Sequence, residues 1–161
     1  MNEAAFDSDG QARVTSDRMI TLFVERAVPA IRHGHPFQTW ALDAADRDDI
    51  TYFLGEKPGE VRLCWDDMVI IYQVADDALC HVRADPVAPD HVVEQLDHWS
   101  KATWPPFMRR APGSDTVSRE YIGPHPQGGF TNILVSFVTD PEDEQHCQAH
   151  LSVAWITGVD A

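Results

Sequence analysis

Residues 60 to 84 constrain the fold of this chain more than any other stretch. Their sequence, EVRLCWDDMVIIYQVADDALCHVRA, contains three runs of strand-forming residues separated by two Asp-Asp pairs. The first and third runs alternate apolar with polar residues, as strands with one buried face do, and the middle run is apolar on both faces. Because Asp tolerates turn conformations, each pair can form a short hairpin loop. The pattern predicts a three-stranded antiparallel meander with the middle run at its centre.

A helix is predicted on each side of this meander. Ser16 is a good N-cap for the first helix, and Asp90 is a good N-cap for the second. We expect the first helix to bend or loosen at Pro29 and to end by Gly34 and Pro36. The residues that recur with helical spacing and form the apolar stripes are Met19, Ile20, Phe23, Ala27 and Ile31 in the first helix and Val92, Val93, Leu96, Trp99 and Thr103 in the second.

The remaining segments add shorter strands. Residues 37 to 42 fit a strand, and residues 50 to 54 fit either a strand or the end of a helix. Residues 104 to 110 contain two prolines and are expected to form an apolar loop with a basic end. Further strands are predicted at 116 to 122, 130 to 139 and 146 to 156.

This order of elements predicts the α+β class, with an antiparallel sheet of about six strands and two helices packed on one face. Residues 1 to 15 are polar and are expected to form a flexible N-terminal tail, so that residues 16 to 161 form a single domain. The plan resembles that of bacterial secretion chaperones in element order, although their final helix has no counterpart here. The resemblance implies a protein partner.

The charge balance limits the classes of partner. The 26 acidic and 12 basic residues give a net charge of -14, which repels phosphate backbones and anionic membranes. We therefore expect neither direct nucleic-acid binding nor membrane binding. A protein with a basic surface is the natural complement, and the alternative is that the acid serves only solubility. The three cysteines, an odd number, and the lack of a signal peptide predict reduced thiols in the cytoplasm.

No stretch carries a catalytic or cofactor signature. There is no G-x-S-x-G elbow, and no phosphate-binding glycine loop precedes a helix. His146 and His150 lie four residues apart on a predicted strand, about 13 Å, which is too far for one metal ion to bind both. His33 and His35 would need a carboxylate from elsewhere to form a metal site. We therefore predict no catalytic residue, no metal and no cofactor.

The leading hypothesis is a non-enzymatic protein-binding module of the inhibitor, immunity or chaperone kind. Aromatic residues in irregular segments would anchor the partner, and acidic turns would attract it. The residues predicted to bind this partner are Trp40, Asp46, Asp48, Asp49, Asp66, Asp67, Trp104, Phe107 and Met108.

Two alternatives remain open. The polar face of the sheet could bind a small molecule or catalyse a reaction, closed by the glycine-rich loop near His125. The residues predicted for that face are Arg62, His81, Arg83, His125, His146 and His150. Alternatively, an exposed sheet edge could form a homodimer.

Overall fold

An eight-stranded antiparallel sheet forms the centre of the protein, in the order β1-β2-β3-β4-β8-β7-β6-β5. The computed structural model describes residues 3–34, 50–54, 60–65, 69–73, 79–140 and 142–157. The predicted α+β class is confirmed, with more strands than the six expected. The strands are β1 (Ile50–Leu54), β2 (Val61–Trp65), β3 (Val69–Gln73), β4 (Leu79–Ala84), β5 (Met108–Arg110), β6 (Arg119–Pro124), β7 (Phe130–Asp140) and β8 (Asp143–Ile156).

The helices are α1 (Glu3–Leu22), α2 (Val28–Arg32) and α3 (Pro89–Ala102), and a π-helical segment (Phe23–Ala27) joins α1 to α2. The prediction that the first helix starts at Ser16 is wrong, because α1 already begins at Glu3. Ser16 lies inside the helix, where its Oγ donates to the carbonyl of Ala12 at 2.6 Å. The same hydroxyl accepts a hydrogen bond from the backbone N–H of Ala88 at 2.9 Å, which ties α1 to the start of α3.

The predicted loosening near Pro29 is confirmed. In the π-helical segment the helix departs from α geometry, and the N–H of Val28 bonds to the carbonyl of Phe23, five residues earlier. Pro29 then lies in the first turn of α2. The helix ends at Arg32, and Gly34 follows with a positive φ of 66°, as expected of a glycine that terminates a helix.

The helices cover one face of the sheet, and the alternation within the strands decides which residues meet them. On that face Leu63, Ile71, Val82, Leu151 and Ile133 are fully buried. They pack with the apolar stripe of the helices, which includes Met19, Phe23, Val92 and Leu96. We call the opposite side of the sheet the open face.

The sheet consists of two similar halves. A helix is followed by the meander β1 to β4 in the first half, and α3 is followed by β5 to β8 in the second. The halves join where β4 pairs with β8, from Leu79 opposite Ala154 to Ala84 opposite Ala149. The predicted meander is confirmed as β2, β3 and β4, although both Asp-Asp pairs lie outside the described residues.

The structure decides one alternative that the sequence left open, and two other segments differ from the sequence-based prediction. Residues 50–54 form a strand rather than the end of a helix. The loop predicted for residues 104 to 110 contains β5 at its basic end, and β6 begins at Arg119 instead of Thr116. None of the helices in the described part of the chain combines the length and apolarity needed to cross a bilayer.

Candidate functional site

The open face carries a cluster of basic and aromatic side chains at the junction of the two halves. The strand register places Arg62 opposite Tyr72 and Tyr72 opposite His81. Arg83, two residues along β4, lies opposite His150 on β8. These five residues, Arg62, Tyr72, His81, Arg83 and His150, are the His/Arg cluster.

Three rings of the cluster form a ladder across β3, β4 and β8. The ring centroids of Tyr72 and His81 are 4.7 Å apart at an interplanar angle of 21°. Those of His81 and His150 are 4.9 Å apart at 28°. Nδ1 of His81 and Nε2 of His150 are 2.8 Å apart, so one imidazole donates a hydrogen bond to the other. The two halves of the protein therefore meet in a hydrogen-bonded pair of histidines.

This pair is neutral at pH 7. Burial, the neighbouring His150 and Arg83 lower the pKa of His81 to about 4. Burial and the positive charge of Arg83 also lower the pKa of His150. Since each neutral imidazole has one N–H and one acceptor nitrogen, the pair uses one of each internally. It leaves one donor and one acceptor for another molecule.

The two arginines of the cluster differ in their surroundings. Nε of Arg62 is 2.9 Å from a carboxylate oxygen of Glu60, which is buried. The guanidinium of Arg83 is exposed, and within the described part of the chain no carboxylate forms a salt bridge with it. Arg83 is therefore the uncompensated positive charge of the cluster.

The structure brings together four of the six residues predicted for the alternative ligand face: Arg62, His81, Arg83 and His150. His146 is in β8, and its side chain lies outside the described part of the structure. His125 does not join the cluster, because it is buried on the helix-covered side of the sheet against Trp155. The expectation that the loop near His125 closes over the open face is therefore not met.

His125 instead connects three elements. Its Nε2 donates to the carbonyl of Ile31 at 2.8 Å, and its Nδ1 accepts from the N–H of Gln127 at 3.1 Å. Its ring stacks on that of Trp155 at a centroid distance of 4.1 Å and an angle of 9°. Because a carbonyl can only accept, these contacts require the neutral tautomer with the proton on Nε2. This histidine stabilises the fold.

The residues predicted to anchor a partner divide into exposed and buried ones. Trp104 is 85% exposed and Met108 is 72% exposed, whereas Phe107 is only 4% exposed. Phe107 packs against Trp99 and over Gly123, where an added Cβ would meet its ring at 2.9 Å. It is therefore a core residue, and its predicted contact with a partner is not supported by its position. Trp40, Asp46, Asp48, Asp49, Asp66 and Asp67 lie outside the described residues.

Arg32, which the sequence did not single out, holds the loop that carries Trp104. It is 2% exposed, and its Nη2 donates to the carbonyl of Pro105 at 2.6 Å. Its guanidinium carbon lies 4.3 Å from the centroid of the Phe107 ring. A charged residue at the end of a helix is normally expected at the surface, so only the tertiary contacts reveal this role.

A groove of about 480 Å³ lies between α3 and the strands β6 and β7. Asp90, Glu94 and Asp97 line it from one side, because spacings of four and three residues put them on one face of the helix. Val93 and Phe137 add apolar surface to the groove. Asp90 and Glu94 have no salt bridge to any residue that the structure describes. The groove therefore carries unpaired negative charge.

Asp97 connects the groove to the sheet edge that carries Met108. The hydroxyl of Tyr121 donates to Oδ1 of Asp97 at 2.5 Å, and burial together with this carboxylate raises the pKa of Tyr121. Nη1 of Arg109 is 3.7 Å from Oδ2 of Asp97, and Nε of Arg119 is 3.9 Å from Oδ1. Asp97 is thus partly neutralised and serves as a structural link between α3 and β5.

The described residues show little capacity for metal or thiol chemistry. Among them, no group of three or more His, Cys, Asp or Glu side chains is placed to hold a metal ion. Cys80 and Cys147 are buried, and burial raises the pKa of both thiols, that of Cys80 to about 12. Cys64 is partly exposed on the open face. A buried thiol with a raised pKa is a poor nucleophile.

The geometry therefore presents two separate surfaces: the His/Arg cluster on the open face, and the groove with the neighbouring Trp104 and Met108. The shape and the charge of these two surfaces indicate what each of them could bind. Comparison of the chain with protein-family models, with curated proteins and with solved structures gives no match.

Proposed function

We propose that this protein is a non-enzymatic binding module that engages a basic protein partner at one end of the sheet. The binding surface consists of Asp90, Glu94, Asp97, Trp104 and Met108, and we call it the α3–β5 surface. The observation that carries the proposal is the exposure of Trp104 and Met108, at 85% and 72%. Exposed large apolar side chains are costly in water, and Trp and Met are enriched where proteins bind each other.

The loop that carries the exposed Trp104 is held in place by contacts with the rest of the fold. Arg32 bonds to the carbonyl of Pro105, the residue after Trp104, and Phe107 fills the space below the loop. The N–H of Phe107 also bonds to the carbonyl of Ser100 at 2.9 Å. An anchor held in this way loses little conformational entropy when it binds, which favours a residue that contributes much of the affinity.

The groove supplies the charge that selects a basic partner. Asp90 and Glu94 are unpaired within the described structure and lie beside the apolar side chains of Val93 and Phe137. A Lys or Arg side chain combines a positive end with an apolar stem and matches both features. The groove lies on the helix-covered side of the sheet and Met108 lies on the open face, so the α3–β5 surface wraps around β5.

This proposal keeps the sequence-based prediction of a basic partner and extends it. The acidic turns containing Asp46, Asp48, Asp49, Asp66 and Asp67 remain predicted contributors. The acidic face of α3 is added because its Asp97 contacts Arg109 of β5, the residue after Met108. Binding in the cytoplasm, without nucleic acid or membrane, belongs to the same proposal.

The test is affinity capture with the tagged full-length protein, followed by identification of bound proteins and measurement of their affinity. We expect to identify a basic partner protein. The Trp104→Ala/Met108→Ala variant should bind this partner at least about 10-fold more weakly than the unchanged protein does, since buried aromatic anchors contribute about 2 kcal/mol or more. Val138→Ala, which removes an exposed apolar side chain from the open face of β7, outside the α3–β5 surface, is the matched control. Asp90→Asn/Glu94→Gln should slow association and weaken its dependence on salt.

Two results would contradict the proposal. One is the absence of any protein partner at every ionic strength tried. The other is a partner that binds the Trp104→Ala/Met108→Ala variant and the Val138→Ala control equally well.

A further inference from the structure

We propose that the His/Arg cluster on the open face binds a small aromatic anion, with the anionic group on Arg83 and the aromatic ring against His150. This site would be distinct from the α3–β5 surface and goes beyond the protein-binding function proposed above. The ligand class is defined by a carboxylate or phosphate group attached to a flat ring.

The charge of the open face favours an anionic ligand. In β2, β3 and β4, and in β8 from Cys147 onward, the open-face positions carry no acidic residue, although the whole chain has a net charge of -14. Glu60 precedes β2 and is buried against Arg62. The open-face residues of these segments, whose side chains the structure describes, are Arg62, Cys64, Ile70, Tyr72, Leu79, His81, Arg83, Gln148, His150, Ser152, Ala154 and Ile156.

Arg83 is the residue of the open face that can bind an anion. It is exposed, and it lacks a salt bridge within the described structure, so its guanidinium can pair with two oxygens of a carboxylate or phosphate. Its effect on its surroundings is visible in His81 and His150, since its charge contributes to lowering the pKa of both. A bound anion would offset the same charge.

The shape of the ring ladder favours a flat, aromatic ligand. Tyr72, His81 and His150 stack across three neighbouring strands, and the next strand, β7, places Ser136 opposite His150. The ladder therefore ends beside a small side chain. A flat ring above Ser136 would continue the stack at the usual ring separation. Its anionic group would meet the guanidinium of Arg83, whose long side chain starts from β4 and reaches across His150.

The histidine pair can also form hydrogen bonds with such a ligand. The internal hydrogen bond of 2.8 Å leaves one N–H donor and one acceptor nitrogen on the pair, whichever tautomers are present. The donor can bond to the anionic group beside Arg83. The acceptor can receive a hydroxyl or N–H of the ligand, so that ligands carrying such a group should bind best.

The experiment uses the full-length protein with labelled histidines, whose imidazole signals are followed by NMR during titration. The probes are benzoate and phenyl phosphate, compared with cyclohexanecarboxylate, inorganic phosphate and uncharged benzamide. We expect saturable shifts of the His81 and His150 signals with the aromatic anions and not of the exposed His98 signal. The aromatic anions should bind more tightly than cyclohexanecarboxylate or inorganic phosphate, and benzamide should not bind.

Three variants assign the effect to the proposed geometry. Arg83→Gln should weaken the binding of the aromatic anions about 10-fold, because it removes a charge-assisted pair. Arg13→Gln removes the same charge from an exposed position on α1 and should leave binding unchanged. Ser136→Leu fills the space beside His150, so it should abolish the advantage of the aromatic probes while retaining weak binding of inorganic phosphate.

The inference is overturned if neither aromatic anion gives saturable shifts up to about 10 mM, a concentration that exceeds the Kd of most specific ligands. It is also overturned if Arg83→Gln binds like the unchanged protein. The Trp104→Ala/Met108→Ala variant leaves the His/Arg cluster intact, so this variant should bind the aromatic anions as the unchanged protein does. A failure of the anion proposal can therefore be distinguished from a failure of the protein-binding proposal.

Discussion

Individual residues decide how the loops of this protein are held. Arg32 illustrates the point, since it is a buried cation whose described contacts are carbonyl groups and an aromatic ring. Burial lowers its pKa, but a guanidinium remains charged at any physiological pH. Its contacts with Pro105 and Pro124 join the end of α2 to the loop before β5 and to the last residue of β6. The position of Trp104 thus depends on a residue in a different part of the chain.

Gly129 is a second residue with a specific structural requirement. Its φ is 76°, and an added Cβ would collide with the backbone oxygen of Ile156. We predict that Gly129→Ala lowers the free energy of unfolding by about 2 kcal/mol or more, because the left-handed conformation and the collision both oppose a side chain. Urea unfolding measures this loss.

Gly113→Ala is the matched control for that substitution. An added Cβ at Gly113 meets nothing within 4 Å, so the change should stay within about 0.5 kcal/mol. Equal stability of the Gly129→Ala and Gly113→Ala variants would show that the backbone at Gly129 is not constrained as described.

At the scale of elements, the pairing of β4 with β8 has the largest consequence. It makes one sheet of two meanders and puts His81 beside His150, whose sequence positions differ by 69. The same pairing places Cys80 and Val153 opposite each other in the core. A single strand contact therefore builds both the centre of the core and the His/Arg cluster.

The histidine pair predicts a loss of stability in mild acid. In the unfolded chain a histidine has a pKa near 6.5, whereas the folded protein holds that of His81 at about 4. Between these pH values the unfolded chain binds a proton that the folded protein does not. The contribution of His81 to stability is therefore complete above pH 6.5 and decreases as the pH falls toward about 4.

Urea unfolding at pH 7, 6, 5 and 4.5 tests this prediction. His81→Gln should lose less stability between pH 7 and 4.5 than the unchanged protein, since it no longer has the group that resists protonation. His98→Gln, at an exposed position on α3, should behave like the unchanged protein. Identical pH dependence in all three proteins would contradict the neutral, partly buried state assigned to His81.

For the whole molecule, the main feature is the separation of surfaces. The helices cover one face, the open face carries the His/Arg cluster, and the α3–β5 surface lies at one end of the sheet. Acidic residues of α3 line the groove, while the open-face positions of β2, β3, β4 and of β8 from Cys147 onward carry none. The two proposed sites, one for a protein partner and one for a small anion, are therefore compatible with simultaneous binding.

The cysteines provide a measure of cooperative unfolding. Cys80 is fully buried on β4, in the middle of the sheet, and its pKa is raised to about 12. We predict that a thiol reagent modifies Cys64 in the native protein much faster than Cys80, because exposure of β4 requires global unfolding. Mass spectrometry of peptides from briefly labelled protein measures the two rates.

Denatured protein, in which all three thiols should react at similar rates, is the control for that measurement. Rapid native labelling of Cys80 would show that the sheet opens locally at β4. Slow labelling that accelerates with urea in step with unfolding would support a single cooperative unit.

Local sequence patterns were sufficient to predict the alternation of core-facing and outward-facing side chains in β2, β4, β7 and β8. Alternation is a local property, so Val61, Leu63, Leu151 and Val153 could be assigned to the buried face before their neighbours were known. Helical spacing likewise located the apolar stripe of α3, since the period of 3.6 residues is local too. These patterns were enough for the fold class and for the polar character of the open face.

Which of these faces and loops come together follows from contacts between distant parts of the chain. Strand pairing and packing depend on contacts between distant segments, and the local pattern is nearly the same for many pairings. The position of β8 beside β4 therefore unites His81 with His150, while Phe107 packs inward and leaves Trp104 exposed. The burial of Arg32 and of His125 has the same origin, because their partners Pro105 and Ile31 are brought to them by the fold.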